Sequence, residues 1–163
     1  MVAGCVITDE CAMAVPVDRM WKVACSGDAL LKACAGFVDA VDVEGDGYTG
    51  SVTTLTLSEA AAAAAGGRVM RSRVVARDDE ARVLRNEVLE GGKVSAQLKS
   101  QVTEVKLEAA GDGACVAKFR LEYERLDGGG ALAPEDQAAL VGGYVGLMKM
   151  VETYLVANPA EYA

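Results

Sequence analysis

The chain contains no histidine, which removes the residue that most often moves protons near neutral pH and that completes mixed zinc sites. Any general acid–base chemistry would fall to Glu, Asp, Lys or Tyr. Aromatic residues are scarce at 5%, with one tryptophan and two phenylalanines, Phe37 and Phe119. An interior built from this composition is lined mainly by aliphatic, Met and Tyr side chains. The cysteines, Cys5, Cys11, Cys25, Cys34 and Cys115, are odd in number and form no C-x-x-C pair. They are expected as buried free thiols in a reducing compartment and not as a disulfide framework or metal site. No uninterrupted apolar run reaches the about 20 residues that span a bilayer. The short apolar stretch Val2–Ile7 lacks a basic flank and is followed at once by Asp9 and Glu10, which is wrong for a signal peptide. Val2 in place of glycine removes the myristoylation signal. The expectation is a cytoplasmic protein without a membrane partner. Positive charge is also short: 16 Lys and Arg against 24 Asp and Glu leave a net charge of −8, a field that repels phosphate backbones and disfavours nucleic acid as a partner.

What is present reads as one domain over residues 1–163, with 52% hydrophobic residues, ample for a core. Val2–Met13 reads as a strand. Pro16 then opens a short helix carrying Val17, Met20, Trp21 and Ala24 at helical spacing, and a second spans Ala29–Ala35. From Phe37 the apolar period changes to two, through Val41 and Val43 and then Thr53, Leu55 and Leu57. The alanine run Ala60–Ala65 fits either one helical turn or a loop. Val69–Arg77 and Arg82–Glu90 form a further strand pair around Asp78-Asp79-Glu80. A long strand follows from Val94, with Val94, Ala96, Leu98, Ser100 and Val102 on one parity and Val105 and Leu107 on the other, so a bulge is expected near Thr103. Cys115, Ala117, Phe119, Leu121 and Tyr123 alternate without a break and give the last strand. The chain closes on an amphipathic helix, Leu132–Ala157, with Pro134, Glu135 and Asp136 in its first turn and a stripe of Leu140, Tyr144, Leu147, Val151 and Leu155, while Lys149 and Glu152 face away. Gly142, Gly143 and Gly146 weaken its middle, either by leaving room for a ligand or through close packing. A long helix laid over short antiparallel strands gives an α+β domain in which a curved sheet is covered by one helix.

Gly45-Asp46-Gly47-Tyr48-Thr49-Gly50 matches G-x-G-x-x-G, but a strand, Ser51–Leu57, follows in place of the helix that would receive a pyrophosphate. The stretch is expected as a structural hairpin loop, and no cofactor or metal motif remains. Arg71, Arg73, Arg77, Arg82 and Arg85 gather on two adjacent strands, where Glu87, Glu90 and Asp79 can pair with them.

Glu44-Gly45-Asp46-Gly47-Tyr48-Thr49-Gly50-Ser51-Val52 resembles the glycine-rich loop of the plant pathogenesis-related class-10 proteins, the birch-pollen-allergen family. The ending, Lys149-Met150-Val151-Glu152-Thr153-Tyr154-Leu155-Val156-Ala157-Asn158-Pro159-Ala160-Glu161-Tyr162, is similar to that family's K-x-x-E-x-Y-L-x-x-N-P-x-x-Y terminus. Tyr48-Thr49 and the alanine run depart from the family pattern. The resemblance implies a helix-grip fold: a seven-stranded curved antiparallel sheet wrapped around the long C-terminal helix, with two short helices after the first strand. It also implies a cavity for small apolar or amphipathic metabolites or hormones, a carrier or storage role linked to defence, no cofactor, and a monomer. The wall residues are then Leu98, Phe119, Leu121 and Tyr123 from strands and Leu140, Tyr144, Leu147 and Met148 from the helix, with Gly45, Asp46, Gly47 and Gly50 in the loop. Tyr123 and Tyr144 would supply hydroxyls to orient a ligand.

An enzyme branch of the same superfamily, the norcoclaurine-synthase-like proteins, condenses an amine with an aldehyde through a cavity lysine. Val116-Ala117-Lys118-Phe119-Arg120-Leu121-Glu122-Tyr123 resembles the strand that carries it, which makes Lys118 the candidate catalytic residue of an alternative reading. Strict alternation instead places Lys118 opposite Phe119, Leu121 and Tyr123. Ribonuclease activity, a third reading attributed to the family, is disfavoured by the acidic balance and the missing histidine.

Overall fold

A computed structural model describes residues 5–162. The elements run β1 (Cys5–Met13), α1 (Val17–Ala24), α2 (Gly27–Ala33), β2 (Val38–Glu44), β3 (Val52–Leu57), α3 (Glu59–Ala65), β4 (Val69–Asp78), β5 (Val83–Glu90), a 3-10 turn (Ser95–Gln97), β6 (Leu98–Ala109), β7 (Cys115–Arg125) and α4 (Pro134–Ala157). The expected start of the first strand, before Cys5, lies outside the described residues. All seven strands join one antiparallel sheet in the order β1-β7-β6-β5-β4-β3-β2. This is the helix-grip arrangement that the resemblance implies.

The alanine run forms α3 because its ends are well signalled. The Ser58 hydroxyl accepts from the Ala61 N–H at 3.2 Å, and Gly66 closes the helix in the left-handed region at φ 78°. The strand expected from Val94 begins later. Ser95–Gln97 coil into a 3-10 turn, and the register with β7 shifts between Leu98 and Ser100. The bulge therefore falls ahead of Thr103, and Gln101, Thr103, Val105 and Leu107 share the buried face of β6.

The stripe of α4 faces the domain as expected, with Leu140, Val141, Val151 and Leu155 buried. Its opposite face is less polar than expected, since Gly142, Gly146 and Val156 sit there beside Thr153. By length and a mean hydropathy of 1.2, α4 passes as a possible membrane span. Here it is the core helix of the domain, tied down at both ends of its last turns. Lys149 and Glu152 do not point away from the fold: Lys149 Nζ donates to the Ala12 carbonyl at 2.8 Å, and Glu152 accepts from the Ala14 N–H at 2.6 Å. The conspicuous C-terminal motif is thus a clamp onto the end of β1. The five thiols are unpaired.

Candidate functional site in the interior under the long helix

Residues paired across a sheet share a face, so Phe119, whose ring lies 6.5 Å from that of Tyr144 on α4, identifies the concave side. Following the register from Phe119 to Val105 and Leu84, and from Thr103 to Asn86 and Val74, traces that side across the sheet, and it is not uniformly filled. Toward β1, β6 and β7, the residues Met13, Leu107, Ala117, Phe119, Leu121 and Tyr123 pack with Met20, Val23, Val151 and Leu155 into one fully buried cluster. Toward β2 to β5 the filling is mixed: Val38, Leu57 and Val74 are buried, whereas Val41, beside Gly27 of α2, and Leu55, Met70 and Leu84 stay only partly buried, as do Leu98 and, on α4, Tyr144, Leu147 and Met148. α4 approaches β1, α1 and α2 closely, and among the described residues makes no comparable approach to the strands from β2 to β7.

Around β6 the polar groups on this concave face are uncharged; its cations lie farther out, Arg77 paired with Leu84 and Arg125 paired with Leu98, and Arg125 Nε is buried without a hydrogen-bond partner among the described residues. Gln101 and Thr103 are buried at 3% and 2% exposure, and both reach the Tyr144 hydroxyl: Gln101 Nε2 donates to it at 3.2 Å, and Thr103 Oγ1 lies 2.9 Å away. Ser95 Oγ donates to Gln101 Oε1 at 2.8 Å, so four side chains form one chain of hydrogen bonds. Burial pushes the Tyr144 phenol above its ordinary range, so it stays protonated. Asn86, opposite Thr103, and Ser72, opposite Thr53, continue the polar row across the sheet. These three make no side-chain hydrogen bond among the described residues.

The sheet also splits here. β5 and β6 pair only from Val83–Lys106 to Glu87–Val102, while Val88 and Glu90 stay with β4, and Leu98 and Gln101 stay with β7. A recess of about 310 Å³ fills the fork, lined by Val88, Leu98, Gln101 and Ser95 among others, with Glu90 and Lys99 at its exposed rim. Its lining draws on both faces of the strands and includes Ser95 and Gln101 of the hydrogen-bond chain, but not Thr103, Tyr144 or another residue of α4.

The residues expected as walls separate into two groups. Phe119, Leu121 and Tyr123 belong to the filled cluster, and the Tyr123 hydroxyl accepts from the Leu132 N–H at 2.9 Å, fixing the approach to α4. Leu140 is buried at the start of the helix. Leu98, Tyr144, Leu147 and Met148 lie on the partly buried side of the concave face, and of these Leu98 lines the recess. Val41, Leu55, Met70, Leu84, Gln101 and Thr103 join them there without having been singled out from the sequence. Gly142 and Gly146 do not make room for a ligand: each lies two residues from Tyr144, on the far side of the helix, and a Cβ on either, or on exposed Gly143, would meet nothing within 4 Å.

The loop Gly45, Asp46, Gly47 and Gly50 is a structural hairpin. Gly45, Gly47 and Gly50 take φ of 116°, 87° and 95°, and Asp46 accepts from the Tyr48 N–H and Ser51 Oγ. Tyr48 fastens it: its hydroxyl donates to Asp79 at 2.7 Å, beneath an Arg77 guanidinium 4.0 Å from the ring centre. Trp21 Nε1 donates to the same carboxylate at 3.1 Å.

Lys118 lies on the outer face, 49% exposed and 2.9 Å from Glu108, which raises its pKa. A catalytic amine needs burial and a lowered pKa, so the alternative built on Lys118 loses its residue. Thiol chemistry has no support either, since burial pushes Cys25, Cys34 and Cys115 to about 11. The arginine cluster is largely neutralised by Arg73–Glu87, Arg77–Asp79, Arg82–Asp18 and Arg85–Glu104 pairs. Among the described residues no group of His, Cys, Asp and Glu could hold a metal ion.

Comparison with known proteins agrees with this architecture. The model of the pathogenesis-related protein Bet v 1 family matches residues 6–158. Pathogenesis-related protein STH-21 of Solanum tuberosum is 30% identical over 157 residues, 96% of each chain. Among solved structures, Ara h 8.0201 superposes with a TM-score of 0.76 at 21% identity, covering 96% of this chain and all of its own. Norcoclaurine synthase from Thalictrum flavum, solved with dopamine and hydroxybenzaldehyde, superposes with a TM-score of 0.67 at 19% identity over 96% of this chain and 88% of its own. The last two likenesses speak to the fold alone.

Proposed function

The chain belongs to the pathogenesis-related protein Bet v 1 family, and from that premise we propose that it carries or stores a small apolar or amphipathic metabolite under α4 without transforming it. One observation carries the reading: Leu55, Met70 and Leu84 on β3 to β5 and Tyr144, Leu147 and Met148 on α4 remain only partly buried, although Val38, Leu57 and Val74 beside them are buried. A solid core would bury them, as it does on the β1 side. Accessible apolar surface that converges on a few fixed polar groups is what a small-molecule site requires.

The unpaired thiols support work in a reducing compartment, the cytoplasm, and a self-contained fold supports a monomer. Native mass spectrometry of protein isolated from its source tissue tests the proposal. A 1:1 adduct of small-molecule mass, released on unfolding, is the expected result. Adduct-free protein that also fails to take up apolar probes would overturn it.

A further inference from the structure

Counting protons in the Ser95–Gln101–Tyr144–Thr103 chain leaves donors without acceptors. Tyr144 and Thr103 carry one hydroxyl proton each, but a single contact of 2.9 Å joins them and uses only one. Gln101 Nε2 carries two protons and spends one on Tyr144. Its carbonyl oxygen already accepts from Ser95. The cluster therefore has a surplus hydroxyl proton and a surplus amide proton, and its Ser95 and Gln101 line the recess where β5 and β6 part.

A buried donor without an acceptor costs free energy that a ligand oxygen can recover. Charge is a separate matter. The polar side chains buried among the described residues are Ser51, Gln101 and Thr103, none of them ionisable. Glu90 and Lys99 reach only the rim. Arg125, on the same face toward the end of β7, is already paired with Asp127, so an anion or cation drawn to Gln101, Thr103 and Tyr144 would lose its water without gaining a free counter-ion.

Resting on the reading that α4 covers a ligand site, we infer that this site selects uncharged ligands bearing an acceptor oxygen, a ketone or ether-like group. That oxygen docks on Gln101, Thr103 and Tyr144 at the fork of β5 and β6, with the apolar body lying along Leu84, Leu147 and Met148. Carboxylates and amines of the same skeleton are rejected. Discrimination comes from the neutral donors and not from the apolar walls, which accept any greasy chain.

The test uses N-phenyl-1-naphthylamine as a reporter, displaced by four matched competitors: undecan-2-one, its methylene isostere 2-methylundec-1-ene, undecanoate and undecylammonium at pH 7.5. The ketone is expected to displace the reporter at concentrations at least about tenfold below either ion. In the double variant Thr103→Val, Tyr144→Phe the ketone should weaken about tenfold relative to the alkene. Gln101→Met gives a smaller relative loss of about threefold and serves if the double variant does not fold. Reporter binding with equal displacement by ketone and undecanoate, or with no ketone-specific loss in either variant, overturns this inference while leaving the site intact. Failure of the reporter to bind overturns the site itself, and the selectivity falls with it.

Discussion

Arg19, in the first short helix, donates to the carbonyl oxygen of Glu161 through both Nε, at 3.1 Å, and a terminal nitrogen, at 2.7 Å. The same guanidinium bonds the carbonyls of Leu155 and Asn158 at 3.2 and 2.9 Å, so one side chain satisfies the last turn of α4 and the segment after it. Arg19→Met should lower stability by about 2–3 kcal/mol, the scale of several charge-assisted hydrogen bonds lost from a partly buried site. Arg19→Lys should recover little, because an ammonium cannot reproduce the planar fork. Denaturant midpoints measure both, and amide exchange should show the loss concentrated around residues 150–158.

The second clamp predicts a pH dependence. The Ala14 N–H, and then Lys149, hold the Glu152 carboxyl below the ordinary glutamate value of 4.5. A depressed folded-state pKa gives stability that is present above 4.5 and is lost as pH falls through the lower folded value. Glu152→Gln should therefore flatten the acid limb of a stability–pH profile below pH 4.5. Its effect should be largest near neutral pH and vanish in strong acid. An unchanged acid limb would show that the clamp is not ionic.

The uneven interior separates stability from binding. Leu121 is fully buried in the filled cluster, so Leu121→Ala should cost about 2–5 kcal/mol and leave probe affinity within a factor of two or so per folded molecule. Leu147, only partly buried at the open part, should show the reverse: Leu147→Ala costs about 1 kcal/mol or less, because little packing is lost, and changes probe affinity severalfold. Thermal unfolding and fluorescence titration on the same preparations read both quantities.

Lys118→Ala should leave both ligand affinity and the unfolding midpoint unchanged, since the amine faces solvent and its partner Glu108 is also exposed. An amine–aldehyde condensation dependent on Lys118 would contradict the orientation of β7.

Much of the fold was legible because most elements carry an uncomplicated pattern. Cys115 to Tyr123 alternate without exception, and the Pro134 start and Leu140–Leu155 stripe of α4 follow the helical repeat. The candidate site was far less legible, and the reason lies in β6. Its inward positions at the site are Gln101 and Thr103, both polar, while the outward neighbour Val102 is apolar, so binary patterning reads the strand upside down there and displaces the bulge toward Thr103. The local violation of the pattern falls at the hydrogen-bond chain of Ser95, Gln101, Tyr144 and Thr103. The alanine run carried its answer in its flanks, Ser58 and Gly66, and not in its own uniform residues. Lys149 and Glu152 looked like solvent-facing charges because their partners, the backbone groups of Ala12 and Ala14, leave no trace in side-chain composition.

The central claim is that the space between α4 and the β2–β5 side of the sheet admits a guest. Titration of N-phenyl-1-naphthylamine into the native protein and into Leu84→Trp, which places a large ring on the concave face of β5, tests it most directly. The account predicts saturable 1:1 binding in the native protein and at least about tenfold weaker binding in a Leu84→Trp protein that still unfolds cooperatively, as expected when a guest loses most of its apolar contact area. Absent saturation in the native protein, or undiminished binding in a folded Leu84→Trp protein, would contradict it.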